Sequence, residues 1–304
     1  MKVFVLAPHE SWICDRIAKE WHDYMGHIST NNVYEADILW LLAGWCWNHV
    51  PQEILAKKKV VLTEHHIVPE KFDNAKQQLF LYRDQFVDAY HVPNKFTEKF
   101  LRTMTSKPIY VLGYWFDPKT WFKEDKKKCR EELRLPKDKF IVGSFQRDTE
   151  GGSRNPKLEK GPDIFCDYLE GLMREDLHIL LGGWRREYVV DRLNNVDMSY
   201  TLIEKTSIDI VRKMYNACDL YVVASRYEGG PQAIYEASAM KVPIISTNVG
   251  VASEILSEAS VIDLPVEFYY PTPHDVDLNY KHVQQYSIIK HALKYANMLG
   301  EISS

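Results

Sequence analysis

The sequence predicts an α/β protein built from two doubly wound parallel sheets, and three observations carry that expectation. The chain has 304 residues, so two domains of roughly 100–180 residues are expected rather than one. Short continuous apolar runs alternate with amphipathic helical patterns from end to end, the signature of parallel strands buried on both faces. That alternation breaks near residues 113–128, where Gly113, Pro118 and a charged run separate two series.

In the first series, strands are expected at residues 2–6, 38–42, 60–63, 89–92 and 109–112, with helices at 12–24 and 95–104 among the connections. In the second, strands are expected at 140–145, 178–182, 200–203, 220–224, 243–246 and 261–262. Their helical partners include 163–173, 208–216, 232–240 and 252–257. Pro265, Pro271 and Pro273 interrupt this series, and a last helical pattern at 283–299 could pack back on the first domain. The expected division is therefore 1–115, 116–280 and a closing helical segment, 281–304. Ligands of open parallel sheets sit outside the carboxyl ends of the strands. The residues just past each strand, facing a cleft between the two domains, are the ones to read for chemistry.

Composition narrows the class. Hydrophobic residues make up 45% and charged residues 26%, ordinary for a globular protein with a real core. A net charge of −4 gives no reason to expect nucleic acid as a partner. The five cysteines show no C-x-x-C spacing, which argues against a disulfide framework or a zinc site and for a reducing compartment. The amino terminus lacks the long apolar region of a signal peptide. No run approaches the roughly 20 apolar residues of a membrane span, and the stretch 38–47 is too short and contains Gly44. A cytoplasmic protein without a transmembrane segment is expected, with peripheral membrane contact left open.

The most informative segment follows the strand at 220–224: Ser225-Arg226-Tyr227-Glu228-Gly229-Gly230-Pro231, then a helix containing Glu236. Proline in a first helical turn has its φ preset, and the glycines let the backbone approach a ligand. Free amides at such a helix start suit a pyrophosphate. Glu228 and Glu236 can face one pocket and hydrogen-bond sugar and ribose hydroxyls; an isolated pair at this spacing would be unremarkable.

The surrounding string, from Asn216 through Gly250 and on to Glu254-Ile255-Leu256, closely resembles the E-x7-E donor region of retaining glycosyltransferases of family 4. The resemblance covers about residues 85–262. It implies the GT-B fold, two Rossmann-like domains facing a central cleft, with a nucleoside-diphosphate sugar, UDP- or GDP-linked, held mainly by the second. The acceptor would be a glycan or lipid-linked hydroxyl. Glu228 would contact the donor sugar and Glu236 the ribose, with the amides of Gly229 and Gly230, ahead of Pro231, orienting the donor. Gln146-Arg147 and Lys160-Gly161 are similar to the family's cationic pair on the diphosphate, where fixed positive charge stabilises the leaving group. The intervening segment is longer than usual, so Lys157 competes with Lys160. Base selection is expected near 203–206. No metal or other cofactor is implied, and Asp275-Val276-Asp277 reads as a loop or helix start.

In the first domain, Thr63-Glu64-His65 matches a pattern in which a histidine lies close to the donor sugar, favouring His65 over His66. The family's Gly-Gly loop after the first strand is replaced by Ala7-Pro8-His9-Glu10-Ser11-Trp12. Ser11 and the helix start behind it could still offer donors. Trp12, Trp45 and Trp47 form an aromatic set at expected strand ends, fit for an acceptor platform or for ordinary half-burial. The basic run 123–130 reads as a solvated helix face. Two rivals remain: a sugar-nucleotide epimerase, against which Glu228 counts, and a non-catalytic nucleotide-sugar-binding subunit.

Overall fold

A computed structural model of the chain describes residues 1–10, 13–151, 153–172, 174–263 and 269–303. The chain forms two compact units, one of Met1–Trp115 with Tyr286–Ser304 and one of Phe116–Gln285. No helix among the described residues is long and apolar enough to cross a membrane.

The first unit runs β1 (Val3–Leu6), α1 (Ile13–Met25), β2 (Ile38–Leu41), α2 (Gln52–Leu55), β3 (Lys59–Thr63), α3 (Asn74–Asp84), β4 (Ala89–Val92), α4 (Lys95–Leu101) and β5 (Ile109–Val111). Its parallel strands lie side by side in chain order. Asp73 and Asn94 cap α3 and α4 by accepting the amides of Lys76 and Thr97, each cap stabilising by about 1 kcal/mol.

A short bridge at the outer edge of β1 changes the reading of this sheet. Val3 bridges Ser29 in parallel, and the Thr30 amide donates to the Val3 carbonyl at 2.9 Å. The carbonyls of Lys2 and Leu6 instead accept from Ile38 and Leu42 on the β2 side. Alternate carbonyls of a strand face opposite edges, so α1 carries the chain to one side of β1 before it returns to the other. The two faces are covered accordingly. Leu39, Leu41, Val60, Leu62 and Tyr90 pack with Ile54, Leu55, Phe80 and Leu101 from α2, α3 and α4. On the other face Trp40 meets Trp21 of α1 edge-on, at 5.2 Å between ring centroids.

The second unit runs α5 (Lys126–Glu132), β6 (Phe140–Ser144), α6 (Pro162–Gly171), β7 (Leu177–Gly182), α7 (Glu187–Asn195), β8 (Tyr200–Ile203), α8 (Ile208–Ala217), β9 (Leu220–Val223), α9 (Gln232–Ala239), β10 (Ile244–Ser246), α10 (Ala252–Ile255) and α11 (Pro273–Val283). All five strands are parallel, in the order β10-β9-β6-β7-β8. The chain thus starts in the middle, builds outward one way to β8, then crosses back to build the other way.

Three sequence expectations change here. The run at 261–262 forms an isolated bridge, Val261 to Ser246, rather than a strand. Pro273 opens α11 instead of interrupting the pattern, because Thr272 and Asp275 form a reciprocal capping box around it. Within the basic run, Arg130 is 6% exposed. It donates to the Ala217 carbonyl and pairs with Asp219 at 2.5 Å, while Lys126 pairs with the same carboxylate at 2.9 Å. These charges fasten α5 to the amino ends of the strands.

The closing helix α12 (Ile288–Ser303) belongs to the first unit. Its Tyr295 ring packs on Trp40 at 5.3 Å, and its hydroxyl lies 2.9 Å from the Gly113 carbonyl and 3.1 Å from His91 Nε2. His91 is wholly buried: Nε2 lies 2.8 Å from the Leu112 carbonyl and Nδ1 3.0 Å from the Thr63 hydroxyl. Those partners suit a neutral ring, and burial pulls its pKa down to about 3. Below the unfolded value of about 6.5 the unfolded chain takes up a proton that the native site refuses. Stability is therefore lost as pH falls below that value. Urea unfolding at pH 5 against pH 7 should show a His91 contribution of about 2 kcal/mol, absent in His91→Gln. An unchanged difference in that variant would contradict this account.

Candidate functional site

The strand order of the second unit places a crevice where the chain reverses its direction of build. β6 and β9 are neighbours at the centre of the sheet, but their following connections leave toward opposite edges. The loops after these two strands carry Gln146-Arg147 and the Ser225–Gly230 segment, and they interlock. The backbone amides of Arg226 and Tyr227 both donate to the Glu159 carbonyl, at 2.9 and 3.1 Å. Gln146 donates from Nε2 to the Lys160 carbonyl at 2.7 Å. Thr247, past β10, donates its hydroxyl to the Ser225 carbonyl at 2.6 Å.

Lys160 and Glu228 meet at this junction. Their Nζ and Oε1 atoms are 2.5 Å apart, with side chains 19% and 13% exposed. Ser225 donates its hydroxyl to the same Glu228 oxygen at 3.1 Å. Lys160 ends a 3-10 turn over Leu158–Lys160, and Gly161 turns the chain into α6 at φ 61°, a left-handed conformation that glycine adopts without strain. A Cβ on Gly161 would fall on the Ala224 carbonyl oxygen, so glycine here permits close approach as well as the turn. Lys157 goes elsewhere: its ammonium lies 3.7 Å from Glu159. Arg226 makes a two-pronged pair with Asp163 in the first turn of α6, at 2.8 and 2.6 Å. Those bonds hold the Asp163 carboxyl below its ordinary range.

Pro231 occupies the cap of α9 rather than its first helical position, and the helix begins at Gln232. Gly229 is buried and Gly230 half-buried. Gly250, at φ 57°, brings the loop after β10 so close that a Cβ would lie 2.7 Å from Pro231 Cδ and 2.8 Å from the Gly229 carbonyl. Glu236 is 4% exposed within α9. It is hydrogen-bonded to Tyr215 of α8, a buried hydroxyl that also bonds Tyr221 and is pushed well above its ordinary pKa by burial. Tyr221 in turn accepts from the Phe145 amide at 3.0 Å, immediately before Gln146. Glu236 and the loop after β6 thus share one buried network.

Arg147 lies over the Trp184 ring, 5.7 Å from its centroid, and Arg185 over the same ring at 4.1 Å. Trp184 lines a polar cavity of about 510 Å³ with Thr149, Arg185, Glu187, Glu204 and Lys205, at the carboxyl ends of β7 and β8. The segment expected to select a base, 203–206, therefore borders this cavity.

Sequence reasoning missed the group that fixes the loop carrying Arg147. Arg186 pairs with Asp148 at 2.9 Å, and both side chains are 1% exposed. Arg186 also donates to the carbonyls of Ser144 and Gly182, the last residues of β6 and β7. The run Gly182-Gly183-Trp184-Arg185-Arg186 past β7 was the available signal. Asp275 serves the α11 capping box, and Asp277 pairs with Lys241 at 2.7 Å.

The first-unit candidates are placed less uniformly. His65 Nε2 lies 2.6 Å from the Leu42 carbonyl, and Nδ1 bonds the Tyr114 hydroxyl. A carbonyl only accepts, so Nε2 carries a proton. Trp47 is a core residue: it is 8% exposed and stacks on Phe86 at 6.1 Å and 13°. Its faces are used by the core rather than by an acceptor platform. Trp45 is 42% exposed and lines a cavity. Ser11 and Trp12 lie outside the described residues.

Two parallel-sheet Rossmann-like units define the architecture called GT-B, and known proteins share it. Alr3699/HepE of Anabaena, solved in complex with UDP, superposes with a TM-score of 0.76 over 99% of both chains at 14% identity. Sucrose-phosphate synthase of Thermosynechococcus elongatus gives 0.68 over 98% of this chain and 80% of that one, at 15% identity. In sequence, residues 152–267 match the family model of glycosyl transferases group 1. Glycogen synthase of Fervidobacterium nodosum is 28% identical over 176 residues, 55% of this chain and 34% of that protein. The lipopolysaccharide core mannosyltransferase LpsB of Rhizobium meliloti is 26% identical over 145 residues, covering 45% and 39%. The chain spans about a third of the length of the glycogen synthase that it matches. The matched region, residues 152–267, contains both Lys160 and the Glu228–Glu236 segment.

Proposed function

We propose that this chain is a retaining, metal-independent glycosyltransferase of family 4. It moves a sugar from a UDP- or GDP-linked donor to a hydroxyl of a glycan or lipid-linked acceptor. The observation that carries the reading is the Lys160–Glu228 contact at the β6/β9 reversal. A diphosphate arriving there takes the ammonium from Glu228 and releases the carboxylate to hydrogen-bond the donor sugar. Arg147 adds the second fixed cation, and together they balance charge developing on the leaving phosphate. Glu236 holds the ribose, and the cavity beside Trp184 takes the base. The retaining course is read with the leaving phosphate helping to deprotonate the acceptor, without a glycosidase-like carboxylate pair. Both this chain's residues and the nucleotide-sugar names among its structural neighbours, UDP-glucose with HepE included, support a sugar nucleotide as donor. Five buried cysteines, all free, accord with a cytoplasmic setting.

The test is a thermal-shift screen against UDP, GDP, ADP and dTDP, followed by product analysis with the matching sugar nucleotide. One nucleotide should stabilise clearly, by about 2.7 kcal/mol at a hundredfold excess over Kd. Absence of any response would overturn the reading, and product of inverted configuration would remove its retaining part.

A further inference from the structure

The first unit contains a cavity that the donor chemistry does not use. It has a volume of about 340 Å³ and lies past the carboxyl ends of β2 and β3, between the segment leaving β3 and the outer side of α3. This is the end of a parallel sheet at which ligands bind, and the size falls in the usual range of roughly 300–1,000 Å³ for small-molecule pockets. Most of its surface is apolar, contributed by Trp45, Ile67, Val68, Phe72, Leu79 and Phe80. Leu79, on α3, is 52% exposed at the edge of this cavity.

The charges are unevenly divided. Glu64 and Arg83 pair at 2.7 Å, and Arg83 also donates to the Gly44 carbonyl at 2.8 Å, so these two close the floor and cancel one another. Lys71 and Lys76 also line the cavity, and both are exposed. Lys76 Nζ donates to the Lys71 carbonyl, which draws its ammonium to the same rim. The neighbouring Asp73 carboxylate is engaged in capping α3. The lining therefore combines an apolar body with a net cationic rim, which complements an amphiphile whose aliphatic part ends in an anion.

We propose that this cavity binds the aliphatic phosphate portion of the acceptor. The chain lies along Trp45, Phe72 and Leu79, and the phosphate lies against Lys71 and Lys76. The proposal rests on the glycosyltransferase reading for the word acceptor; the binding itself does not.

Octyl phosphate, kept below its micelle concentration, is the probe, with octyl glucoside and inorganic phosphate as the other arms. Binding of octyl phosphate should be saturable, should weaken with added salt, and should change tryptophan fluorescence by an amount lost in Trp45→Phe. Lys71→Glu with Lys76→Glu should weaken it at least tenfold, and so should Leu79→Glu, all three being exposed positions that leave the core intact. Octyl glucoside and inorganic phosphate should each bind at least tenfold more weakly. Equal binding of octyl glucoside would overturn the anionic assignment, and equal binding of inorganic phosphate the aliphatic one. No saturable binding of octyl phosphate would overturn the whole proposal, and UDP stabilisation of the same protein tells that failure apart from failure of the donor reading. If octyl phosphate binds but does not compete with glycosyl transfer to an acceptor, the acceptor role is overturned.

Discussion

Replacing Lys160 by methionine is expected to lower kcat for glycosyl transfer by about 10²–10³, the loss typical of removing one fixed group that stabilises developing negative charge. Methionine keeps most of the volume and removes the cation. The variant removes the ammonium that meets Glu228 and keeps the bond from the Ser225 hydroxyl, and affinity for the nucleoside diphosphate should fall with the lost cation. Lys157→Met separates the two candidate lysines. Its ammonium lies against Glu159, and its loss should change kcat less than threefold. Steady-state kinetics on both variants, with unfolding curves as controls, decide the matter. Full turnover in Lys160→Met would remove this lysine from the site, and a collapse in Lys157→Met alone would reassign the role.

A second large effect is expected on stability. Arg186→Met should cost about 3–5 kcal/mol, because it strands a buried carboxylate whose partner has gone. Burial already pushes the Asp148 carboxyl up against the pull of Arg186, so without the guanidinium this group should protonate instead of staying charged. The carbonyls of Ser144 and Gly182 lose donors at the same time. Arg186→Met with Asp148→Leu should recover part of the loss, since an apolar pair replaces the ionic one. Urea unfolding measures both. A loss under 1 kcal/mol in the single variant would mean that water reaches the pair, and would overturn this account. Nucleotide affinity should fall in parallel, as Arg186 and Asp148 bracket the loop bearing Gln146 and Arg147.

The sheets were legible in sequence because parallel strands buried on both faces read as unbroken apolar runs, as at Ile38–Leu41 and Leu220–Val223. The residues proposed to meet the donor, Arg147 and Glu228 among them, were legible because they lie just past such runs. What composition and period do not encode is the partner of a side chain. Trp47 looks like Trp45 in sequence, yet one stacks inside the core and the other lines a cavity. Arg130 sits in a run of lysines, yet it is buried and paired with an aspartate 89 residues further along the chain. His65 was read for its position after a strand, and its ring is committed to Leu42 and Tyr114. The helix at Pro273–Val283 was readable, since Thr272 before the proline and Asp275 after it are a capping signature; the prolines around it drew the reading toward a loop.

The placement of Tyr295 against Trp40 has a consequence for how the chain acquires its shape. The face of the first sheet that carries Trp40 stays unsealed until a helix from the far end of the sequence arrives. The second unit is thus an insertion that must be accommodated before the first is finished. Closing so long a loop is entropically slow, and during synthesis the exposed tryptophans must wait while the later unit is made. The two units therefore mature in the reverse of the order in which they begin.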